Sequence, residues 1–353
     1  MQPTVTIIIN NYNYAHFLPE AIDSALNQTY GQVEVLVVDD GSTDNSVQVI
    51  EGYSQRVTPI VKPNGGQASA MNLGFQSSQG DIVLFLDADD YLFPEAVATI
   101  VDTWRSDLAL LQCRLEMVDQ NGKYIDLYPA PELLFDSGSD VWQLLLKKGC
   151  FRTTVTSGLA FSRQVLSKIM PIPEADFKIS ADGYLVTLAP FYGAVASLEK
   201  PWGARRKHTN NHWSDSSVGQ QGKISRRSIE HDFTKYRFLN LTAQSLGHTI
   251  EPQLELSDYR HIMHRLSSLR LEPAQHPVKN DSVWILITRG WQAVWFQSRL
   301  PAKRKLVLSV WFVCVGLLPA SLAKKVVSWL LAPQSRPQLV DAIAKRIRWA
   351  TQS

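Results

Sequence analysis

The sequence predicts an α/β fold in which helices flank a mostly parallel β-sheet. Three apolar segments rich in β-branched residues, 5–9, 33–38 and 82–86, indicate buried strands. Apolar residues recur at helical spacing on one face of residues 18–26 and again of residues 47–53. The alternation of strand and helix is typical of parallel strands joined by right-handed crossovers.

Polar residues follow each of these strands. They are Asn10 after the first strand, Asp40 after the second, and Asp87, Asp89 and Asp90 after the third. Ligands bind beyond the carboxyl ends of the strands in such sheets, so we expect these side chains in one cleft. Three carboxylates within four residues repel one another unless a divalent cation lies among them, and oxygen ligands suit Mg²⁺ or Mn²⁺. The sequence therefore predicts a metal-diphosphate site, and the alternative is an acidic turn that caps the next helix.

Five segments resemble the family 2 inverting glycosyltransferases of GT-A fold. They are residues 5–13, 21–30, 34–46 with Val-Asp-Asp-Gly-Ser-Thr-Asp, 64–66, and 86–90. The resemblance extends more loosely to about residue 215. It implies a GT-A domain with a Rossmann-like sheet over residues 1–215. It also implies inverting sugar transfer from a nucleotide-sugar, with a UDP-sugar favoured, to an acceptor hydroxyl. The acceptor would be a glycan, a lipid-linked glycan or another hydroxyl compound, in cell-surface polysaccharide or glycolipid synthesis.

The resemblance assigns donor-binding roles to residues of the first 90 positions. Asn10, Tyr12 and Asp40 would hold the nucleotide, and Asp87 would lie near the ribose. Backbone at Gly65 and Gly66 would approach the ligand, with a plain turn as the alternative. Asp89 would bind the metal and Asp90 would assist it. The family often has Arg before the Asn of the following helix, and Met71 stands there instead.

Two downstream segments complete the implied site. Asp182 lies in a segment that fits the family's x-Asp-x-x-Leu helix, and it is our candidate base for the acceptor hydroxyl. Ala181 occupies a position where Glu is common, and Asp182 as a plain helix N-cap is the alternative. Residues 205–214 resemble the family's Tyr-Arg-x-His-x-x-Asn-x-Ser loop. Arg206 would contact the diphosphate and His208 would bind the metal, unless this basic loop is only a solvated face.

Charge is distributed unevenly along the 353 residues, although the formal net charge is only +2. Residues 1–100 contain twelve Asp and Glu but only Arg56 and Lys62 as cations, whereas residues 289–353 contain eleven Lys and Arg and one acid. This asymmetry predicts an acidic metal-binding half and a tail drawn to an anionic surface. Three scattered cysteines are too few for a disulfide framework and are consistent with a reducing cytoplasm.

The last part of the chain is predicted to associate with a membrane. We expect residues 216–280 to be a helical linker region and residues 281–353 a basic, Trp-rich helical segment. The apolar run 306–318 is shorter than the ~20 residues that a spanning helix needs. We therefore expect a cytoplasmic protein that is peripherally associated with the inner face of the cell membrane. Its C-terminal helices would lie in the plane of the anionic inner leaflet or re-enter it, and a packed helical subdomain is the alternative. A strand that begins by residue 5 leaves no room for a signal peptide.

Two other functions can be compared with single features of the sequence. A non-catalytic nucleotide-sugar or glycan-binding module docked on the membrane would explain the absence of Glu at 181 and of Arg at 71. A nucleotidyltransferase would need a Gly-rich basic loop after the first strand, and residues 10–16 contain no Gly, Lys or Arg. Nucleic acid is not an expected partner. His261 and His264 have helical spacing but no nearby ligand residues, so we expect a surface pair.

Overall fold

The computed structural model describes residues 2–208, 220–331 and 336–338. Its strands are β1 Val5–Asn11, β2 Val33–Asp39, β3 Thr58–Val61, β4 Ile82–Asp87, β5 Tyr91–Leu92, β6 Leu108–Cys113, β7 Leu115–Val118, β8 Tyr124–Tyr128, β9 Leu159–Ser162, β10 Ala194–Leu198 and β11 Gly203–Arg206. Its α-helices are α1 Leu18–Leu26, α2 Ser46–Gly52, α3 Gln67–Ser77, α4 Ala96–Thr103, α5 Val141–Lys148, α6 Arg163–Ile169, α7 Asp182–Leu188, α8 Gln221–Ser245, α9 Tyr259–Leu271, α10 Val283–Gln292, α11 Ala302–Leu317 and α12 Ala320–Leu331. The three predicted strands are β1, β2 and β4.

The main sheet contains seven strands in the order β10-β6-β9-β4-β1-β2-β3. All neighbouring strands are parallel except β9, which is antiparallel to both β4 and β6. The predicted α/β fold with a mostly parallel sheet is confirmed. Strand β1 has no accessible apolar side chain, with Val5, Ile7, Ile8 and Ile9 fully buried. Its continuous apolar sequence reflects helices on both faces of the sheet.

The strand register brings the polar strand ends to one edge. Asn10 of β1 lies opposite Val38 of β2 on one side and opposite Asp87 of β4 on the other. A second sheet, in the order β5-β11-β7-β8, begins directly after the acidic motif. Its strand β11 pairs with β5, so the basic segment that begins at Arg205 comes close to the carboxylates of residues 87–90.

The chain forms two compact units, which differ from the predicted domains. One unit comprises residues 1–142 and 152–208, and the other comprises residues 143–151 and the chain after 208. The described part of the expected linker region 216–280 contains α8 and α9. Its helix α9 packs against α8, α10, α11 and α12, and buries Ile262 and Leu266 at the centre of a helical unit.

The histidine pair of α9 lies inside this helical unit, not on its surface as expected. His261 is fully buried, and its Nδ1 lies 2.9 Å from Asp232 Oδ2. His264 Nδ1 lies 3.4 Å from the Ser225 hydroxyl. A polar side chain can be buried at low cost when it finds such partners, which the spacing along α9 alone does not reveal. Within the described residues, no group of three or more potential ligands forms a metal site.

The C-terminal helices combine a packed face with an exposed one. Leu286 of α10, Phe312 and Val315 of α11 and Val327 of α12 are buried within the helical unit. Trp284 and Leu306 remain largely exposed. Across the part of the chain that the structure describes, every helix is too short or too polar to span a bilayer.

Candidate active site

The acidic motif lies in the turn between β4 and β5, and a serine from a distant segment holds it in place. Ser157 Oγ donates to Asp90 Oδ2 over 2.6 Å and accepts from the Asp87 N–H over 3.2 Å. The other oxygen, Asp90 Oδ1, accepts from the Arg206 N–H over 2.9 Å. Both oxygens of Asp90 thus accept protein hydrogen bonds, which favours a positioning role over the metal contact predicted for it.

The side chains of Asp89 and His208 contact each other within the site. His208 Nε2 lies 2.9 Å from Asp89 Oδ2. Aromatic side chains of the loop after β1 hold the imidazole: Phe17 stacks on it with ring centroids 4.9 Å apart, and Tyr14 meets it edge-on at 5.4 Å. Two of the three residues predicted to bind a metal are therefore adjacent and pre-oriented.

Negative charge at this edge is only partly neutralised by protein cations. Burial, together with repulsion from Asp90, Asp89 and Asp182, raises the pKa of Asp87 well above its ordinary value. Burial and the charge of Asp89 raise the pKa of Asp90 to about 7. Arg205 partly opposes both shifts. Among the described residues no group of three or more such side chains is assembled as a metal site, so a divalent cation here would be held by the Asp89–His208 pair together with substrate oxygens.

Asp182 approaches this centre from α7. Its charge contributes to the raised pKa of Asp87, so the two carboxylates lie within electrostatic range. Asp182 is the first residue of α7, and the N-cap is Ala181, which makes no capping side-chain bond. The alternative of Asp182 as a plain N-cap does not fit this arrangement. Glu174 and Asp176, the next candidates for a base, are exposed.

Gln67 connects the acidic motif to the start of α7. Its Nε2 donates to Asp87 Oδ1 over 3.2 Å, and its Oε1 accepts from the Ala181 N–H over 3.0 Å. Its own N–H donates to the Lys178 carbonyl over 2.8 Å. One side chain thus spans the two segments that carry Asp87 and Asp182.

Asp40 organises the loop that contains the paired glycines. Its carboxylate accepts from Lys62 Nζ over 2.6 Å, from the Gly65 N–H over 2.9 Å and from the Gly66 N–H over 2.7 Å. Gly66 has a φ of +89°, and an added Cβ would lie 2.7 Å from the Lys178 carbonyl oxygen. The glycines are therefore needed for contacts within the protein, and the approach of their backbone to a ligand stays a prediction.

The loop after β1 carries the remaining predicted donor contacts. Neither amide atom of the Asn10 side chain has a hydrogen-bond partner among the described residues, although both atoms are buried. Buried polar groups are normally paired, so this amide is suited to a ligand that supplies a donor and an acceptor. Tyr12 is 40% exposed at the loop tip. Asn11 Nδ2 fixes the loop by donating to Asp39 over 2.7 Å.

Arg206 does not lie where a diphosphate contact was predicted. Its buried guanidinium forms an ion pair with Glu20 and donates from Nε to the Asp89 carbonyl over 3.1 Å. The rings of Phe17 and Tyr91 lie 4.9 and 5.6 Å from it. A guanidinium satisfied in this way stabilises the turn. The predicted contact is corrected for that reason, and Met71, fully buried in α3, supplies no cation either.

Comparison with known proteins gives this site a family context. The profile of Glycosyl transferase family 2 matches residues 6–164. A glycosyltransferase of Nostoc sp. (strain PCC 7120) is 38% identical over 238 residues, which is 64% of this chain and 72% of that protein. The chain belongs to glycosyltransferase family 2. The chondroitin synthase of Pasteurella multocida is 43% identical over 111 residues, 31% of this chain and 12% of the synthase.

A solved structure supports the GT-A fold of this glycosyltransferase. The mannosyltransferase from Pyrobaculum calidifontis in complex with GDP-Man and Mn²⁺ has a TM-score of 0.51 at 16% identity, covering 98% of this chain and 88% of that one. At this identity the likeness concerns the fold alone. The predicted resemblance to GT-A enzymes is confirmed.

Several residues of the glycosyltransferase site were not found from the sequence. Ser157, Gln67, Phe17 and Tyr14 are ordinary polar or aromatic residues without a motif of their own. Lys62 alone carried a signal, because it is one of only two cations among the first 100 residues. The part of the basic loop in residues 209–214 lies outside the described residues.

Proposed function

We propose that this glycosyltransferase moves a sugar from a nucleoside-diphosphate sugar to an acceptor hydroxyl in a single inverting displacement. The observation that carries the proposal is the bridge that Gln67 forms between Asp87 and the Ala181 N–H, one residue before Asp182. A donor-binding motif and a candidate proton acceptor thus share one edge of the sheet. Transfer needs both groups at the reacting carbon.

We infer that Asp89 and His208 hold a divalent cation, either Mg²⁺ or Mn²⁺. Their side chains are adjacent, and burial together with repulsion between neighbouring carboxylates raises the pKa values of Asp87 and Asp90. The mannosyltransferase of the same fold was solved with Mn²⁺. When bound, the cation would supply positive charge that stabilises the departing diphosphate.

The donor nucleotide is proposed to occupy the cleft beside β1 and β2. The unpaired amide of Asn10 offers a donor and an acceptor to a base, and exposed Tyr12 offers a ring for stacking. Asp40 is positioned by its contacts with Lys62 and the two glycines. A carboxylate can accept from the imide N–H of uracil, so a UDP-sugar is the first donor to test.

Asp182 is proposed to accept the proton of the attacking hydroxyl. As that proton moves to the carboxylate, the acceptor oxygen forms a bond to the anomeric carbon from the face opposite the diphosphate. The bond from the anomeric carbon to the diphosphate oxygen breaks, and its electron pair leaves with the nucleoside diphosphate. No covalent sugar-enzyme intermediate forms in this scheme, and the configuration at the carbon is inverted.

The acceptor is proposed to be a hydroxyl of a glycan or a lipid-linked glycan in cell-surface synthesis, at the inner face of the membrane. Similarity to the chondroitin synthase and the hyaluronan synthase of Pasteurella multocida, each 43% identical over 111 residues, favours a glycan acceptor. The chain spans only 12% and 11% of those proteins. The similarity therefore covers only a small part of those proteins.

Release of nucleoside diphosphate distinguishes transfer from mere binding. A panel of nucleotide-sugars is incubated with the full-length protein, Mn²⁺ or Mg²⁺, and a membrane extract that supplies acceptors. We expect one donor to release its diphosphate in a metal-dependent and extract-dependent manner. Donor binding without release from any member of the panel would instead support the non-catalytic module.

A further inference from the structure

Large apolar side chains are exposed along the C-terminal helices. Phe296 is 86% exposed, Trp284 66% and Leu306 60%. We call the Trp face the set formed by Trp284, Ile285, Trp291, Trp295, Phe296, Leu306, Val310 and Leu317. Exposed apolar residues scattered singly are normal, but a contiguous patch marks an interaction site.

Helical spacing places six of these side chains in two stripes. Residues 284, 291 and 295 recur at i, i+7 and i+11 along α10 and the π-helical turn Ala293–Gln297. Residues 306, 310 and 317 recur at i, i+4 and i+11 along α11. Side chains with these spacings share one side of a helix. The opposite sides of both helices are buried in the helical unit.

Hydrogen bonds join the two stripes into one surface. Trp291 Nε1 donates to the Ser309 carbonyl over 3.1 Å, and Trp295 Nε1 donates to the Ser309 hydroxyl over 2.9 Å. Both indole rings therefore lie beside the stripe that contains Val310. On the buried side, an added Cβ at Gly290 would lie 2.4 Å from the Phe312 ring. Helices α10 and α11 therefore pack closely beneath the Trp face.

The charge around this surface has a single sign. Residues 283–331 contain seven Lys and Arg and neither Asp nor Glu. Arg299 and Lys303 are exposed in and just after the turn between the stripes. Lys305 Nζ lies 5.8 Å above the Trp295 ring. Cations beside tryptophans and aliphatic residues are typical of a segment that lies in a membrane interface.

We propose that the Trp face docks the protein on the surface of an anionic lipid bilayer, in the plane of the headgroups. Such a surface accepts both the apolar side chains and the cations that flank them. A second copy of the chain would bring two sets of cations together, because residues 283–331 contain neither Asp nor Glu. The whole segment 281–353 was expected to contact a membrane, and the structure narrows this contact to two stripes of α10 and α11.

Sedimentation with vesicles tests the proposal on the full-length protein. The vesicles contain phosphatidylcholine with or without phosphatidylglycerol. The face variant carries Trp284→Ser, Phe296→Ser, Leu306→Ser and Val310→Ser. The charge variant carries Arg299→Gln and Lys303→Gln. A matched control carries Leu241→Ser and Leu246→Ser, which are exposed on and just after α8 of the same unit.

We expect the wild type and the control to sediment with the anionic vesicles. The face variant should lose at least about tenfold in partitioning, and each cation removed should cost about fivefold. Binding should weaken with salt, and brominated lipids should quench tryptophan fluorescence in the wild type more than in the face variant. Equal sedimentation of the face variant and the wild type would overturn the proposal. So would gel filtration that shows a wild-type dimer and a monomeric face variant, because the Trp face would then be a contact between copies.

Discussion

Gln67 Nε2 lies 3.2 Å from Asp87 Oδ1, at the edge of the sheet where the donor is proposed to bind. The same side chain accepts from the Ala181 N–H over 3.0 Å, one residue before Asp182. The separation of the proposed base from the acidic motif thus depends on one amide with two hydrogen bonds. Gln67 is a positioning residue, since it acts on the reaction through Asp87 and α7.

Gln67→Ala should lower kcat more than it weakens donor binding. Each net hydrogen bond contributes about 1 kcal/mol, so the loss of both should reduce kcat by up to about 30-fold if they hold the reacting groups in place. The measurement is the rate of diphosphate release at saturating donor, together with the donor affinity from calorimetry. Gln76→Ala, at an exposed position of the same helix, is the control. Equal kcat values for the two variants would remove Gln67 from the site.

Asp89→Ala should abolish the metal dependence of nucleotide binding while the fold persists. The fold should persist because the Asp89 side chain pairs with His208 and is not part of the apolar core. Its removal also relieves electrostatic repulsion at Asp90. Titration of UDP with and without Mn²⁺ measures the effect, and the thermal midpoint checks the fold. Asp102→Ala, exposed on α4, should behave as the wild type. A variant at Asp89 that keeps the metal-dependent affinity would show that the cation is held elsewhere.

Ser157→Ala should loosen the acidic turn. It removes the hydroxyl that donates to Asp90 and accepts from the Asp87 N–H, and leaves a buried carboxylate with one partner fewer. An unsatisfied buried acceptor costs ~1–3 kcal/mol, so the free energy of unfolding should fall by that amount. Chemical unfolding measures it. Ser157→Thr, which keeps the hydroxyl, should recover most of the loss, and no difference between Ala and Thr would argue against the contact.

The helical unit should lose stability as the pH falls from about 6.5 toward 4. Burial lowers the pKa of His231 and His264 from 6.5 to about 4. In this window the unfolded chain binds protons that the folded chain does not, so stability decreases with falling pH. The two groups together should lower the urea midpoint measurably between pH 6.5 and pH 5.

Comparison with His264→Gln isolates this effect. The raised pKa values of Asp87 and Asp90 act in the opposite direction, because those carboxyls bind protons more readily in the folded state. Their contribution is the same in both proteins and cancels in the difference. The wild type should therefore lose more stability on acidification than His264→Gln. If the wild type and His264→Gln lose the same stability on acidification, the assignment of a neutral His264 in the folded protein is contradicted.

Local sequence patterns were sufficient to predict the main sheet and the acidic motif. Strands β1, β2 and β4 are buried on both faces, so their apolar runs are visible in the sequence, and Asp87 and Asp89 follow from the end of β4. The contacts that shape the site are not local. Ser157 reaches Asp90 across 67 positions, Gln67 reaches Ala181 across 114, and Arg206 reaches Asp90 across 116.

The packing of the helical unit also depends on contacts that the local sequence does not reveal. The sequence predicts that residues 216–280 are helical, and α9 is one of the helices there. The spacing of apolar residues alone does not predict which other helices pack against a helix. The packing of α9 against α8, α10, α11 and α12 therefore became known only from the structure, and with it the burial of His261.

The role of Asp182 in transfer is tested most directly by diphosphate release from the Asp182→Asn variant, once the donor is known. Loss of a general base should reduce turnover roughly 10²-fold or more, while metal-dependent donor affinity stays within the wild-type range. Asp176→Asn, at an exposed position of the preceding loop, should turn over normally. An Asp182→Asn protein that releases diphosphate at the wild-type rate would contradict the assignment of Asp182 as the base.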